Sequence, residues 1–265
     1  MLRLGAVSYL NTKPLISGLQ RRLGSRGQLT LDLPSRLAAD LAAGRLDVAL
    51  IPSVEYFRGP DYRIVSDAVI GCDGPVWSVR LMSRVAAAEI RTLALDEGSR
   101  TSAALVRVLL SEMHGVTPQP VPFPIDQQPE SIDADAILVI GDRAMRPAEG
   151  VYQEIWDLGD RWCRWTELPF VFAMWVARPG LADEIDLPEL AEVLQACRDE
   201  GLGSLEQIAA AESAGHGLTK EDLYGYFTDN LHFTLGHRER LGLDAFRDRA
   251  AALGLLATSV PSVSS

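Results

Sequence analysis

The sequence predicts a two-lobed α/β protein. Strand-like and helical patterns alternate through the first half of the 265-residue chain, the alternation restarts near residue 92, and the last third is helical. Alternation of this kind gives parallel sheets joined by right-handed crossovers. The length is sufficient for one large domain or two small ones. Two lobes explain the restart better than a single continuous sheet does.

The first half contains the expected elements in order. Continuous apolar runs or alternating patterns mark strands, and apolar residues three or four apart mark helices. The predicted strands are 2–7, 29–33, 47–51, 62–70 and 76–83. The predicted helices contain Leu15 to Leu23, Leu37 to Ala42, and Ser53 to Arg58. The strand at 47–51 is apolar throughout, as expected for a strand buried on both faces.

The second half repeats the pattern once and then becomes helical. A strand at 92–95, a helix at 101–114 and strands at 136–140 and 170–177 are expected. Three C-terminal helices follow, the second beginning with a Ser204–Gln207 capping box. The third carries Leu223, Phe227 and Leu231. We expect crossings between the lobes near residues 84–92 and 172–180. The first lobe would then contain residues 1–86 and 176–265, and the second residues 87–175.

Composition limits the possible partners. Hydrophobic residues make up 47% and charged residues 23% of the chain, which is ordinary for a soluble globular protein. No apolar stretch approaches the roughly 20 residues that a membrane span needs. The net charge of −11 argues against nucleic-acid binding, which normally requires a basic surface. It does not exclude an anionic small molecule, because a few arginines and helix N-termini can make one cleft locally positive.

Cysteine usage and the N-terminus predict a cytoplasmic protein. Cys72, Cys163 and Cys197 are odd in number, far apart and without CxxC spacing, so we expect reduced thiols. The chain enters strand-like sequence at Leu2 without a basic start or a long apolar segment, unlike a secretory signal.

Ligands in open α/β lobes bind outside the carboxyl ends of the strands, which selects the loops that follow them. The first such loop runs from Ser8 to Pro14. Ser8, Asn11 and Thr12 can cap a helix there, and Pro14 suits its first turn. A helix start offers backbone donors and a positive dipole to an anion. A simply capped helix explains this loop equally well.

Two further loops are less distinctive. Ser53 follows the third strand as a candidate cap and ligand donor. Glu55 lies in the first helical turn, where a structural role complementing the dipole is favoured, and Tyr56 fits the core. Gly74 and Pro75 form a turn before the strand that carries Ser78, a small polar residue able to approach a ligand closely.

The loop from Asp96 to Ser102 is the most informative. Gly98 permits a tight turn, and Ser99, Thr101 and Ser102 supply hydroxyl and backbone donors at a helix start. Arg100 can bind a carboxylate bidentately, or pair with Asp96 or Glu97 at the surface. Asp142, after the strand at 136–140, would orient Arg100 or a ligand hydroxyl, or cap a helix.

Common catalytic and cofactor motifs are absent from the sequence. It contains no GxSxG, P-loop, GxGxxG or HExxH pattern. Packing or surface roles are favoured for the four histidines, which lie at positions 114, 216, 232 and 237. We therefore expect neither a metal nor an organic cofactor.

These loops resemble those of the chorismate dehydratase family of the futalosine route to menaquinone. Six motifs carry the resemblance, in family order: VSYLNTKPL at 7–15, DVALIPSVEY at 47–56, GPVWSV at 74–79, ALDEGSRTSAAL at 94–105, ILVIGDRA at 137–144 and LPFVFAMW at 168–175. The C-terminal helices match more loosely. The family is similar in fold to type II periplasmic binding proteins, which have two lobes joined by a two-strand hinge.

The resemblance implies dehydration of chorismate to 3-[(1-carboxyvinyl)oxy]benzoate without a cofactor. Under this hypothesis Asn11 and Ser78 are the catalytic residues and position the substrate. The enolpyruvyl carboxylate of the substrate then takes the proton, although a protein side chain remains an alternative base. The predicted substrate-binding residues are Ser8, Tyr9, Thr12, Ser53, Ser99, Arg100, Thr101, Ser102 and Asp142.

Three other functions compete with this one. A transport-type solute-binding protein would bind without reaction. The sister enzyme that makes 1,4-dihydroxy-6-naphthoate shares the fold, but its family begins with an SPCPNDT-type loop where this chain has SYLNTKP. A regulator's effector domain is disfavoured because no helix-turn-helix precedes the first lobe. The sequence leaves the oligomeric state open.

Overall fold

Two separate β-sheets organise the chain. The computed structural model describes residues 1–145 and 152–257. The strands are β1 (Leu2–Val7), β2 (Gly27–Asp32), β3 (Val48–Pro52), β4 (Arg63–Cys72), β5 (Val79–Ser83), β6 (Thr92–Asp96), β7 (Gln119–Phe123), β8 (Ala136–Ile140), β9 (Glu154–Asp157), β10 (Phe170–Ala177) and β11 (His232–Thr234).

The first sheet has the strand order β11-β4-β10-β3-β1-β2 and the second β7-β6-β8-β5-β9. In the first, β1 runs parallel to β2 and β3. In the second, β6 runs parallel to β7 and β8. The returning strands β10 and β5 are antiparallel to their neighbours. Each lobe therefore combines a parallel α/β unit with antiparallel strands near the crossings.

Helices cover both sheets. The α-helices are α1 (Leu19–Leu23), α2 (Pro34–Ala42), α3 (Ser53–Arg58), α4 (Arg100–His114), α5 (Leu158–Thr166), α6 (Leu187–Leu202), α7 (Leu205–Glu212), α8 (Lys220–Gly225) and α9 (His237–Ala252). The C-terminal helices return to the first sheet, since β11 pairs with β4 and α6 packs on the segment after β1. None of the helices in the described ranges is both long and apolar enough to cross a bilayer.

The chain passes between the sheets earlier than the sequence predicts. The first crossing lies between Cys72 and Val79, and the return lies between Asp157 and Phe170. The expected crossings near residues 84–92 and 172–180 are therefore misplaced, because β5 pairs with β8 and β10 pairs with β3. The predicted division places residues 79–83 in the first lobe, but they pair in the second sheet. It places residues 170–175 in the second lobe, but they pair in the first sheet. That division into folding units stays a prediction.

Two elements differ from the prediction, one next to the first crossing and one in the first loop. The predicted strand 76–83 begins only at Val79, because Trp77 has a φ of +62°, which an extended strand cannot accommodate. The predicted first helix is a 3₁₀-helix at Leu10–Ile16 followed by the short α1. Gly18, with a φ of +65°, separates the two.

The C-terminal region also departs from the prediction in three places. Ser204 precedes α7 but makes no side-chain capping bond, whereas Thr219 and Asp222 form a capping box at α8. The expected third helix through Leu231 ends in a π-helical segment, Tyr226–Asn230. The short strand β11 then joins the first sheet, which apolar spacing alone does not indicate.

A close backbone approach fixes α6 against the first loop. A Cβ atom added at Gly201 would lie 1.9 Å from the carbonyl oxygen of Pro14. Alanine normally stabilises a helix relative to glycine, but at this position its methyl group would collide with the backbone of Pro14. We expect Gly201→Ala to lower the free energy of unfolding by about 1–3 kcal/mol, as measured by chemical denaturation.

The matched control is Gly215→Ala, where no atom lies within 4 Å of the added Cβ. This variant should unfold at nearly the same denaturant concentration as the parent. Equal stability of both variants would show that α6 moves away from Pro14 without cost.

Candidate ligand-binding cleft

A cleft with about 520 Å³ of empty space, part of it open to solvent, lies between the two sheets, at the carboxyl ends of β1, β3 and β8. It is lined by Val7, Tyr9, Asn11, Pro34, Pro52, Ile70, Val76, Ser78, Val79, Ser99, Arg100, Thr101, Ser102, Ile140, Gly141, Phe172 and Ala173. The predicted loops thus converge at one place.

The loop before β5 places Ser78 in this cleft. Trp77, a bulky residue at positive φ, is held there by Asp157. That carboxylate accepts hydrogen bonds from the backbone N–H groups of Trp77 at 2.6 Å and of Val76 at 2.9 Å. It also accepts one from the N–H of Asp160, where it caps α5. A strained conformation fixed by several bonds is typical of functional sites.

Tyr226 reaches the cleft residues from the C-terminal region. It is buried, and its hydroxyl donates a hydrogen bond to Ser78 Oγ at 2.8 Å. Burial raises the pKa of Tyr226 well above its ordinary range, while hydrogen bonding with Ser78 and Asn11 opposes that shift. Neutral at physiological pH, Tyr226 joins the two predicted catalytic residues into one polar cluster.

The start of α4 faces the cleft from the second lobe. Ser99, Thr101 and Ser102 are buried there, at the helix end whose first N–H groups have no intrahelical partner. Tyr9 lies close to this start, since a Cβ added at Gly98 would be 3.1 Å from the Tyr9 hydroxyl. Within the described ranges, that buried hydroxyl has no hydrogen-bond partner. These donors can bind an anionic group.

Arg100 lines the cleft but is already paired. Its guanidinium lies 2.8 Å from Glu55 Oε2, and Arg58 lies 2.6 Å from the other oxygen of the same carboxylate. The alternative interpretation, a surface pair of Arg100 with Asp96, is not found, because Asp96 pairs with Arg143. Glu55 has a structural role as predicted, but it acts by holding two arginines of different lobes together.

Ser53 and Thr101 link the two lobes. The Thr101 hydroxyl accepts a hydrogen bond from the N–H of Val54 at 3.2 Å and lies 3.4 Å from the Ser53 hydroxyl. Ser53 is fully buried and does not line the cleft. The predicted contact of Ser53 with a ligand is not seen in this structure, because its hydroxyl faces Thr101 of the other lobe.

Asp142 makes a second link between the lobes. It accepts a hydrogen bond from the N–H of Leu10 at 3.3 Å and lies 3.3 Å from His216 Nε2. Burial raises the pKa of Asp142, and the nearby His216 counteracts this. Asp142 therefore caps the helix after β1 in the opposite lobe and does not contact Arg100. His216, for which the sequence favours a packing or surface role, is its neighbour.

Two residues of the first loop lie outside the cleft lining. Ser8 is exposed, and Thr12 is fully buried with its hydroxyl 3.3 Å from Asn11 Oδ1. Neither hydroxyl caps the helix, since Tyr9 occupies the N-cap position without a side-chain bond. Contacts of Ser8 and Thr12 with a substrate stay predictions.

Sequence reasoning missed Tyr226 and Asp157. The predicted apolar stripe runs through Leu223, Phe227 and Leu231, so Tyr226 falls beside it. The π-helical turn changes the periodicity at this position, and apolar spacing assumes an α-helix. One feature could have indicated Tyr226: a tyrosine next to an apolar stripe is often buried, and a buried tyrosine hydroxyl usually needs a hydrogen-bond partner.

The charges around the cleft restrict its chemistry. Among the described residues, no carboxylate or imidazole lines it, and Arg100 is its one guanidinium. Burial raises the pKa of Tyr9 well above its ordinary range. No group of three metal-ligating side chains converges within residues 1–145 and 152–257. The expectation of a metal-free, cofactor-free site stays a prediction.

The two sheets, the crossings between them and the intervening cleft define a two-lobed periplasmic-binding-protein-like α/β protein. An X-ray structure from Archaeoglobus fulgidus is similar with a TM-score of 0.76 and 17% identity, covering 96% of this chain and 98% of that one. The periplasmic aliphatic sulphonate binding protein of Escherichia coli is similar with a TM-score of 0.65 and 15% identity, covering 95% and 85%. At these identities the likeness concerns the fold.

Sequence comparison adds the family. A menaquinone biosynthesis family matches residues 2–252. A chorismate dehydratase of Thermus thermophilus is 31% identical over 273 residues, covering 95% of each chain. The chain belongs to this menaquinone biosynthesis family, as the six collinear motifs predict.

Proposed function

We propose that this protein is a chorismate dehydratase, a lyase that converts chorismate to 3-[(1-carboxyvinyl)oxy]benzoate and water. The observation that carries the proposal is the composition of the cleft. All its lining residues except Pro34 and Ile70 come from the six motifs that the sequence shares with the family. Motifs that are dispersed along the chain thus meet at one small-molecule site.

The reaction demands little from the protein beyond orientation and charge stabilisation. The C3–H bond of chorismate is vinylogous to the ring carboxylate, so its electrons delocalise into a dienolate when the proton leaves. The C4–O bond then breaks, the hydroxyl leaves as water with a proton equivalent to the one lost from C3, and the ring becomes aromatic. An enzyme accelerates such a step by positioning donors where charge develops.

The donors around the cleft suit a dianion. The start of α4 contributes backbone N–H groups together with the Ser99 and Ser102 hydroxyls. Tyr9 adds a buried hydroxyl without a partner among the described residues. These groups are uncharged, and the guanidinium of Arg100 is shared with Glu55. Recognition of the carboxylates would therefore depend mainly on hydrogen bonds to neutral donors.

The lining also favours substrate-assisted proton removal. Since the described lining contains no carboxylate and no imidazole, the enolpyruvyl carboxylate of the substrate is the base we propose. The profile of kcat against pH should then lack an enzymic ionisation near neutrality. Such an ionisation that disappears in one Asp or Glu variant would contradict this assignment.

Asn11 and Ser78 are the proposed catalytic residues. They lie on the loops after β1 and before β5, and both line the cleft. Ser78 Oγ accepts a hydrogen bond from Tyr226, so its own O–H group can donate a hydrogen bond to the leaving hydroxyl of the substrate. The amide of Asn11 would hold the substrate ring so that its leaving hydroxyl lies next to Ser78. The cytoplasmic location remains part of this proposal, since chorismate is a metabolic intermediate of the cell interior.

The direct test is incubation of the purified protein with chorismate. We expect the ultraviolet absorbance of the cyclohexadiene to decay and the substituted benzoate to appear in chromatography, without added metal or cofactor. A solute-binding protein would bind chorismate and return it unchanged. Unchanged chorismate at high protein concentration would refute the proposed function.

A further inference from the structure

The hydroxyl of Tyr226 has a defined direction in this fold. Its ring is fully enclosed, and the O–H group donates to Ser78 Oγ at 2.8 Å, a typical length for a bond between hydroxyls. Because burial raises the pKa of Tyr226, the group remains protonated at neutral pH. Tyr226 is therefore a permanent donor toward Ser78 and is not a base.

This bond decides where Ser78 can donate. A hydroxyl has one proton, and Ser78 Oγ already accepts one bond. Inside the protein, the acceptor found for the Ser78 proton is the carbonyl oxygen of Val76, at 3.4 Å. That distance is long compared with the 2.7–2.8 Å usual between hydroxyl and oxygen. An oxygen of a ligand in the cleft would be the better acceptor.

The surrounding contacts hold Tyr226 against the loop that carries Ser78. Its ring packs edge-on against Trp77, with centroids 5.8 Å apart at 71°. At the other end of the same π-helical turn, Asn230 Nδ2 donates to the carbonyl oxygen of Pro75 at 3.0 Å. The π-helical turn therefore contacts the loop at three residues, Pro75, Trp77 and Ser78. Such turns frequently occur at functional sites.

We propose that Tyr226 is a positioning residue, which fixes Ser78 so that its proton points at the leaving hydroxyl of the substrate. This inference rests on the proposed function. Tyr226 itself does not line the cleft. Its hydroxyl acts on the reaction only by orienting Ser78.

The test is a double-mutant cycle with Tyr226→Phe, which removes only the hydroxyl. We expect kcat for chorismate to fall about tenfold, corresponding to loss of one oriented hydrogen bond in the transition state, with KM within about twofold of the parent. In the Ser78→Ala background the same substitution should change kcat less than twofold, because there is no hydroxyl left to orient. A crystal structure of Tyr226→Phe should show Ser78 Oγ closer to the Val76 carbonyl oxygen than the 3.4 Å of the parent.

Tyr224→Phe is the matched control. Tyr224 lies two positions earlier and is 40% exposed, so kcat and thermal stability should match the parent. The inference is overturned if Tyr226→Phe retains parental kcat, or lowers kcat equally with and without Ser78. An inert parent protein would refute the proposed function instead, and the rotamer of Ser78 in the Tyr226→Phe crystal would still decide the positioning role.

Discussion

Replacing Ser78 by alanine should lower kcat for chorismate by about 10²–10³, the range found when one donor to developing charge is removed. The leaving hydroxyl then departs without a hydrogen-bond donor for its developing charge, while the hydrogen bonds to the two carboxylates remain. KM should therefore change little. The measurement is the initial rate of loss of the cyclohexadiene absorbance, with chromatography of the product for slow variants.

Asn11→Ala should have an effect of similar size, because the amide lies at the same polar cluster. Asn11→Asp has the same shape but brings a negative charge toward a dianionic substrate. We expect it to raise KM as well as to lower kcat, since like charges repel strongly in a desolvated site. A raised KM in the aspartate variant alone would separate the charge effect from loss of the amide.

The control for both is Ser66→Ala. Ser66 is buried in β4 and accepts a hydrogen bond from the N–H of Ala68 at 3.1 Å, but it does not line the cleft. Its loss costs a comparable buried hydrogen bond without touching the site. Equal kcat losses in Ser66→Ala and Ser78→Ala would mean that Ser78 acts through stability rather than through the substrate.

The sequence predicts much of the α/β units because their central strands are short apolar runs bounded by turns. β3, β6 and β8 are such strands, and α4 has a clear apolar period. The short edge strands β7, β9 and β11 escape prediction because most of their residues are exposed or half-buried, and because β9 and β11 pair with strands distant in sequence. Local pattern contains no information on such pairing.

The location of the loops was predictable and the partners of their side chains were not. The strand-end rule identifies the residues near the cleft, including Asn11, Ser78 and Ser99. It does not reveal that Thr101 bonds to Val54 or that Arg100 pairs with Glu55 across the lobes. Those contacts depend on the relative placement of two lobes, which no single loop encodes. From the sequence, Arg100 is predicted to bind an anion, and only the structure shows that Glu55 already pairs with it.

The second large effect is expected at Asp157, whose substitution by alanine should affect folding and turnover together. Three backbone N–H groups lose their acceptor, those of Val76, Trp77 and Asp160. One is a helix cap, for which a loss of about 1 kcal/mol is typical, and bonds to a charged acceptor are worth about 1.5–3 kcal/mol. We expect the free energy of unfolding to fall by about 2–4 kcal/mol in chemical denaturation.

Turnover should fall as well, because Trp77 would no longer be held at positive φ and Ser78 would leave its position. The control is Asp186→Ala, which removes the cap of α6, a single bond from the N–H of Glu189 at 3.1 Å. It should cost about 1 kcal/mol and leave kcat unchanged. The excess loss in Asp157→Ala then measures the contribution of the loop. If the two variants behaved alike in stability and rate, the conformation around Ser78 would be maintained without Asp157, by Tyr226 and Asn230 on the opposite side of the same loop.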